Sequence, residues 1–277
     1  MIHPHKLLID NARNMYLSQT SIGVTDGPAL GLREYMPQEY LEKMKALGDK
    51  YREIRWLPLD IPKIEFQDIE EFKHIWHQES IDVVRVRPCV AEPWSKEDHP
   101  LKHKSSYNTK WFKGLTLWQN PMIPIDSGSF AAKEYQGDNK QLKRIVEQVF
   151  EYFPIHTMQS IFIWQSTDKI FPHRDEGSFW KCPTDFRVML HDENEKPTLY
   201  VADIEKGDIN YIDLPSDTNS FCWSNGTQIH GSTFQGKKKY LLCISGIQHA
   251  KKSDDLFERS IVKYKNKLNY TLDYDTK

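Results

Sequence analysis

His173-Arg174-Asp175 and, 57 residues later, His230 offer two imidazoles and one carboxylate. Residues i and i+2 of an extended strand share a face, so His173 and Asp175 can project side by side. A second imidazole from a neighbouring strand would complete a two-histidine, one-carboxylate triad on one side of a metal ion. That donor set suits Fe(II) and leaves three coordination positions open, the arrangement of non-haem iron centres that activate dioxygen.

The spacing alone decides little. With 11 His and 39 acidic residues in 277, about 1.5 His-x-Asp/Glu triplets arise by chance, and the chain holds three. His77-Gln78-Glu79 sits in Glu70 to Glu79, a segment that reads as a helix, where i and i+2 face apart. His74 and His77 are i and i+3 there, but with no companion ligands they read as a solvated face. His191-Asp192-Glu193 enters a charged turn, where His191 can at most line a pocket. His173 follows an apolar strand at a strand-to-turn junction, and a later strand ends in Gln228-Ile229-His230-Gly231-Ser232. Context therefore selects His173, Asp175 and His230.

The bulk properties set limits on the rest. Hydrophobic residues make up 39% and charged residues 27%, which fits a globular chain with a sizeable core. A net charge of −2 and the lack of a basic aromatic stripe argue against nucleic acid. No apolar run reaches the roughly 18 residues a membrane span needs. Met1-Ile2-His3-Pro4-His5 carries no basic, then apolar, secretory pattern. Cys89, Cys182, Cys222 and Cys243 form no Cys-x-x-Cys pair, so free thiols in a cytoplasmic protein are expected and a thiolate zinc site is not.

The elements that must position the triad can be read in outline. Tyr40, Leu41, Met44, Leu47, Tyr51 and Ile54 recur at helical spacing. Ile81 to Val86 is a strand, 93–107 a loop, and Leu115 to Trp118 a short strand. Leu142, Ile145, Val146, Val149, Phe150 and Phe153 lay one apolar stripe on a helix over about 139–153, with Asp138 as N-cap and Pro154 as its stop. Short strands then follow: 160–165, 169–175 (with Pro172 marking an edge or bulge), 186–191, 198–201, 208–212, 220–223 and 239–244. The expectation is one domain of mainly β structure with flanking helices. A mixed region at 1–155 packs on a core at 156–250, and 251–277 is a C-terminal extension.

From Ser160 to Gly246 the chain resembles the double-stranded β-helix (a cupin-like jelly roll) of the Fe(II)/2-oxoglutarate-dependent oxygenases. It is most similar to the branch of aspartyl/asparaginyl β-hydroxylases and bacterial proline hydroxylases. Ile163 to Asp175 resembles that family's strand, turn and His-x-Asp, and Phe186 to His191 its arginine-bearing strand. Phe221-Cys222-Trp223-Ser224-Asn225 resembles its approach to the distal histidine. The resemblance implies a dioxygenase (hydroxylase) of an amino acid or an amino-acid residue in a peptide. Fe(II) would be held by His173, Asp175 and His230, with 2-oxoglutarate and dioxygen as co-substrates and succinate and CO₂ as products. Alternatives are a cupin-like metal-binding protein without oxygenase activity, or a zinc hydrolase with Glu176 as base.

A dianionic co-substrate needs a buried cation. The family's arginine lies about ten residues past the distal histidine; here Lys239 stands nine past it, and a lysine lacks the bidentate fork. Arg187 is the other candidate, for either a co-substrate or a substrate carboxylate. Alternation puts Arg187, Met189 and His191 on one face and Phe186, Val188 and Leu190 on the other. The second set is the more apolar and should meet the core, which turns Arg187 away from it. Gln165, Trp164, Ser166, Trp180 and Trp223 are further pocket candidates, with Gln165 included among the co-substrate contacts.

Overall fold

A computed structural model describes residues 38–88, 107–120, 134–166, 170–173, 185–194, 196–203, 208–223, 229–233 and 238–272. The 93–106 stretch, Asp175, Glu176, Trp180, Cys89 and Cys182 lie outside the described residues.

Helix α1 (Gln38–Tyr51) buries Met44, Leu47 and Tyr51, the stripe its spacing requires. Strand β1 (Trp56–Pro58) and helix α2 (Ile69–Glu79) follow. The Asp68 carboxylate caps α2 by accepting from the Glu70 and Glu71 amides, and Phe72 and Trp76 are its buried face. His74 is exposed and lies 3.1 Å from the Gln78 amide, as a solvated helix face should be. Strand β2 (Ile81–Pro88) pairs with β3 (Tyr107–Gln119), which begins well before the expected short run of Leu115 to Trp118 and takes in Tyr107 from the expected loop.

Helix α3 (Lys140–Tyr152) buries Leu142, Ile145 and Val149. Its N-cap is Asn139, whose side-chain oxygen accepts from the Leu142 amide; Asp138 instead reaches outward to Lys143. Asn139→Ala should therefore cost about 1 kcal/mol in urea unfolding, and Asp138→Ala much less.

The remaining strands are β4 (Ile155–Ser166), β5 (Ile170–His173), β6 (Asp185–Asp192), β7 (Leu199–Asp203), β8 (Asp208–Tyr211), β9 (Ser220–Trp223), β10 (Ile229–Ser232) and β11 (Lys239–Gln248). They form a seven-stranded sheet, in the order β1-β9-β6-β11-β4-β3-β2, and a four-stranded sheet, β5-β10-β7-β8. Every ladder between these strands is antiparallel.

Alternation along the large sheet separates two cores. One face sends Phe186, Val188, Leu190, Cys222, Tyr240, Leu242, Ile161 and Ile163 against the helices. The other sends Phe221, Trp223, Leu241 and Cys243 against Leu199 and Val201 of the small sheet, with Trp56 and Ile212. The layers are thus helices, large sheet, small sheet.

Helix α4 (Ala250–Tyr264) belongs to the first layer rather than to a trailing extension. Leu256, Phe257, Ile261 and Tyr264 are buried on it, and Phe257 meets Tyr51 edge-on at 5.2 Å. Past it, Leu268 and Tyr270 pack on the inter-sheet core, and the Tyr270 hydroxyl bonds the Trp56 carbonyl.

Candidate metal and co-substrate site

Strand β5 is an edge of the small sheet, the place where Pro172, with no N–H to donate, fits. Its last residue, His173, is the register partner of His230 on β10. Directly opposed residues of an antiparallel ladder are the nearest cross-strand neighbours, with Cα atoms about 4.5–5.5 Å apart. On its other side His230 is opposed by Val201 of β7. His230 is 5% exposed, and its ring centroid lies 4.7 Å from that of Trp223 on the large sheet. This histidine therefore sits between the two sheets. The third residue of the expected triad, Asp175, lies two positions past the end of β5. Among the described residues alone, no three metal-ligating side chains gather.

Lys239 opens β11 and shares its face with Leu241 and Cys243, toward the small sheet. It is 8% exposed. Its ammonium donates to Thr198 Oγ1 and to Ser232 Oγ, each at 2.7 Å. Among the described residues no carboxylate reaches ion-pair distance of it; Asp192, its register partner, accepts from the Asn194 amide at 3.0 Å. Burial without a paired anion pushes the Lys239 pKa down to about 8, with the Asp192 charge opposing the shift. Ser232 is two residues past His230 on the same strand. The hydroxyl that holds the ammonium thus lies about 7 Å along β10 from the histidine, on the same face.

Arg187 is buried at 7% exposure, contrary to a reading in which it turns away from the core. The face opposite the helical core is itself covered by the small sheet, so both alternating sets are inside. Arg187 opposes Phe221 on one side and Cys243 on the other. Its Nη1 donates to the Phe186 carbonyl at 2.9 Å, and Nη2 stands 3.6 Å from Asp185. His191 leaves this face. A bulge between Tyr240 and Leu241 shifts the register, so His191 opposes Tyr240 and Met189 opposes Leu241. The His191 ring lies nearly parallel to Tyr240 at 6.3 Å, on the helical side.

Gln165 is likewise on the helical side. Its amide lies beside the hydroxyl of Tyr240, whose ring packs on Phe72 and Trp76, and among the described residues its Nε2 has no partner within hydrogen-bond geometry. The structure thus brings His230, Lys239 and Arg187 to one interlayer space and leaves Gln165 outside it. Trp164 is on the inner face, bonding the Cys243 thiol through its indole N–H. Trp223 is buried there too, and its Nε1 has no partner among the described residues. Thr198 and Ser232 are the contributors that sequence reasoning missed. A lone hydroxyl in a strand carries no signal until its cross-strand neighbour is known.

Neither a family model nor a curated protein matches the chain. Among solved structures, it is similar to an oxidoreductase of the 2OG-Fe(II) oxygenase family from Burkholderia pseudomallei. The identity is 11%, the TM-score 0.35, and the match covers 74% of this chain and 93% of that one. It is also similar to YcfD, a ribosomal oxygenase from Escherichia coli, at 11% identity and a TM-score of 0.30. That match covers 76% of this chain and 52% of YcfD, so the chain spans about half of YcfD's length. No helix among the described residues is long and apolar enough to cross a membrane.

Proposed function

We propose that this chain is a Fe(II)- and 2-oxoglutarate-dependent oxygenase, a hydroxylase of an amino acid or of an amino-acid residue in a peptide. In this reading its two sheets are the walls of a double-stranded β-helix. The observation that carries the proposal is the register of His173 with His230, one strand-repeat away from the hydroxyl that holds the buried Lys239.

The residues fit both groups. Two imidazoles at opposed positions of one ladder, with Asp175 two residues on, supply the donors Fe(II) takes. A buried ammonium whose described partners are neutral hydroxyls fits a bound carboxylate, because burying a charge without a counter-charge is costly. When bound, the iron supplies the oxidative chemistry, in which the keto acid and dioxygen are consumed and the substrate is hydroxylated.

The protein's own contribution is orientation and dryness. Lys239 would receive the distal (C5) carboxylate through one charge-assisted bond, and the Thr198 hydroxyl could donate to the same oxygens, while the Ser232 hydroxyl donates to the Thr233 carbonyl at 3.4 Å. Arg187 is held by its Asp185 and Phe186 contacts at the far end of β6, and its partner Cys243 is four residues, about 13 Å, along β11 from Lys239. In this reading Lys239 serves the co-substrate, while Arg187, already engaged by Asp185 and the Phe186 carbonyl, stands away from it. Phe162, Trp164, Met189 and Leu241 belong to the apolar cluster between the sheets and would keep water from the reacting centre.

The test is anaerobic mixing of the purified protein with Fe(II) and 2-oxoglutarate. A weak visible charge-transfer band that needs both components, and succinate formation when oxygen is admitted, are expected. Metal binding with neither the band nor competition between 2-oxoglutarate and succinate would favour a metal-binding protein without oxygenase activity.

A further inference from the structure

We infer that Tyr200 is a positioning residue for the proposed metal centre: it bolts strand β5 to the sheet and so keeps His173 in register with His230. This rests on the metal reading above. Strand β5 is poorly held by its own ladder. It is four residues long, lies at a sheet edge, and contains Pro172, which has no amide proton to give. Among the described residues its pairing with β10 runs through His173 and Ile170, with an irregularity between His230 and Ser232. Such a strand frays unless something else ties it down.

Tyr200 supplies the tie from two strands away. It is on β7, directly opposite Gly231 of β10, and its hydroxyl donates to the Ile170 carbonyl of β5 at 3.1 Å. The phenol therefore passes over β10 to reach the edge strand. Gly231 is what permits the crossing. A Cβ at that position would stand 2.2 Å from the Tyr200 hydroxyl oxygen, 2.5 Å from Cζ and 2.5 Å from the Ile170 carbonyl oxygen. The residue next to the proposed ligand His230 is thus left without a side chain, and the space is taken by the tyrosine.

The ring is also fixed from behind. Tyr211, its register partner on β8, meets it edge-on at 6.0 Å and 76°. At 1% exposure Tyr200 has little freedom, so its hydroxyl is aimed before any metal arrives. A buried hydroxyl needs a partner, and the Ile170 carbonyl serves that need while pinning the strand three residues before His173. A simple core tyrosine would require neither the glycine beneath it nor a bond to a strand it does not neighbour.

Tyr200→Phe keeps the ring and removes only the tie. Two measurements test it, both on the full chain. The first is backbone hydrogen exchange of 170–173 in the metal-free protein, which should become faster in the variant while exchange in β7 and β8 stays the same. The second is Co(II) titration followed by its visible spectrum. Affinity should fall about three- to tenfold, as expected for one lost hydrogen bond, with a changed band shape and a thermal midpoint lowered by only about 2–4 °C. Unchanged exchange in β5 would overturn the tie. Faster exchange with unchanged Co(II) affinity and spectrum would overturn the positioning role alone. A wild-type protein that binds no Co(II) would overturn the metal reading and the positioning role together.

Discussion

Lys239→Met should abolish 2-oxoglutarate binding while leaving the metal-free protein as stable as the parent, or more so. The two effects share one cause. Inside the protein the ammonium meets Thr198 and Ser232, both neutral, and no described carboxylate within ion-pair distance. Its pKa of about 8, against 10.5 in water, means that folding loses roughly 3 kcal/mol on this group at neutral pH. Methionine fills a similar volume without the charge, and replacing buried charge by apolar groups is often neutral or stabilising. On the proposed reading the co-substrate, by contrast, would lose its counter-charge. Truncating one side of a buried charge pair costs about 2–5 kcal/mol, so affinity should fall by roughly a hundredfold or more. Calorimetric titration with 2-oxoglutarate and a urea unfolding curve measure the two halves. A large loss of stability in the apo-protein would make Lys239 a structural residue and would sink its assignment to the co-substrate.

The same lysine gives the site a pH signature, and its sign is fixed. Because the folded pKa lies below the unfolded one, the folded protein sheds this proton first as pH rises. Below about 8 both states hold it and the burial penalty is in full force; between about 8 and 10.5 the unfolded chain binds more protons, so this group's contribution to stability improves with pH. Anion binding runs the other way. It needs the charged form, so 2-oxoglutarate affinity should weaken as pH rises above about 8, while the Lys239→Met protein shows neither trend.

The helical layer was legible because its signal is local. The stripe from Leu142 to Val149 and the run from Met44 to Tyr51 bury as their spacing demands. Helix α4 carries the same period at Ser253, Leu256, Phe257, Ser260, Ile261 and Tyr264, but the many charged residues between them hide it, and the segment reads as an extension. The strands were legible as strands, but not their faces. Alternation identifies a core face only when the other face is wet, and the large sheet is covered on both sides, so Arg187 and Phe186 are both buried. The bulge beside Leu241 then moves His191 to the helical side, a one-residue shift that no local pattern announces. Within the proposed site, the histidines are singled out by type, spacing and strand context, and Lys239 by its place relative to the arginine of the family the chain resembles. Thr198, Ser232 and Tyr200 are not, since each acts through a partner 7 to 41 residues distant.

His230→Ala should produce the opposite pattern of losses from Lys239→Met, and the contrast is diagnostic. If His230 holds the metal, removing its imidazole takes away one of three protein donors. Metal affinity should then fall well beyond the ten- to hundredfold that loss of an outer partner typically costs. The keto acid chelates the metal in this reading, so its affinity should collapse as well. Lys239→Met removes only the far anchor, so metal binding should persist while co-substrate binding is lost. His230 is also packed between Val201 and the Trp223 ring, so its truncation leaves a cavity and some loss of stability is expected on that ground alone. His230→Gln, which keeps most of the volume, separates the two contributions: stability should largely return and metal binding should not. Equilibrium dialysis against Fe(II) under anaerobic conditions, with and without 2-oxoglutarate, reads all three variants. Retained metal binding in His230→Gln together with lost co-substrate binding would place the metal elsewhere. An ordered dependence, in which Lys239→Met loses one ligand and both His230 variants lose two, is what a metal seated at His230 and a dianion stretched from it to Lys239 require.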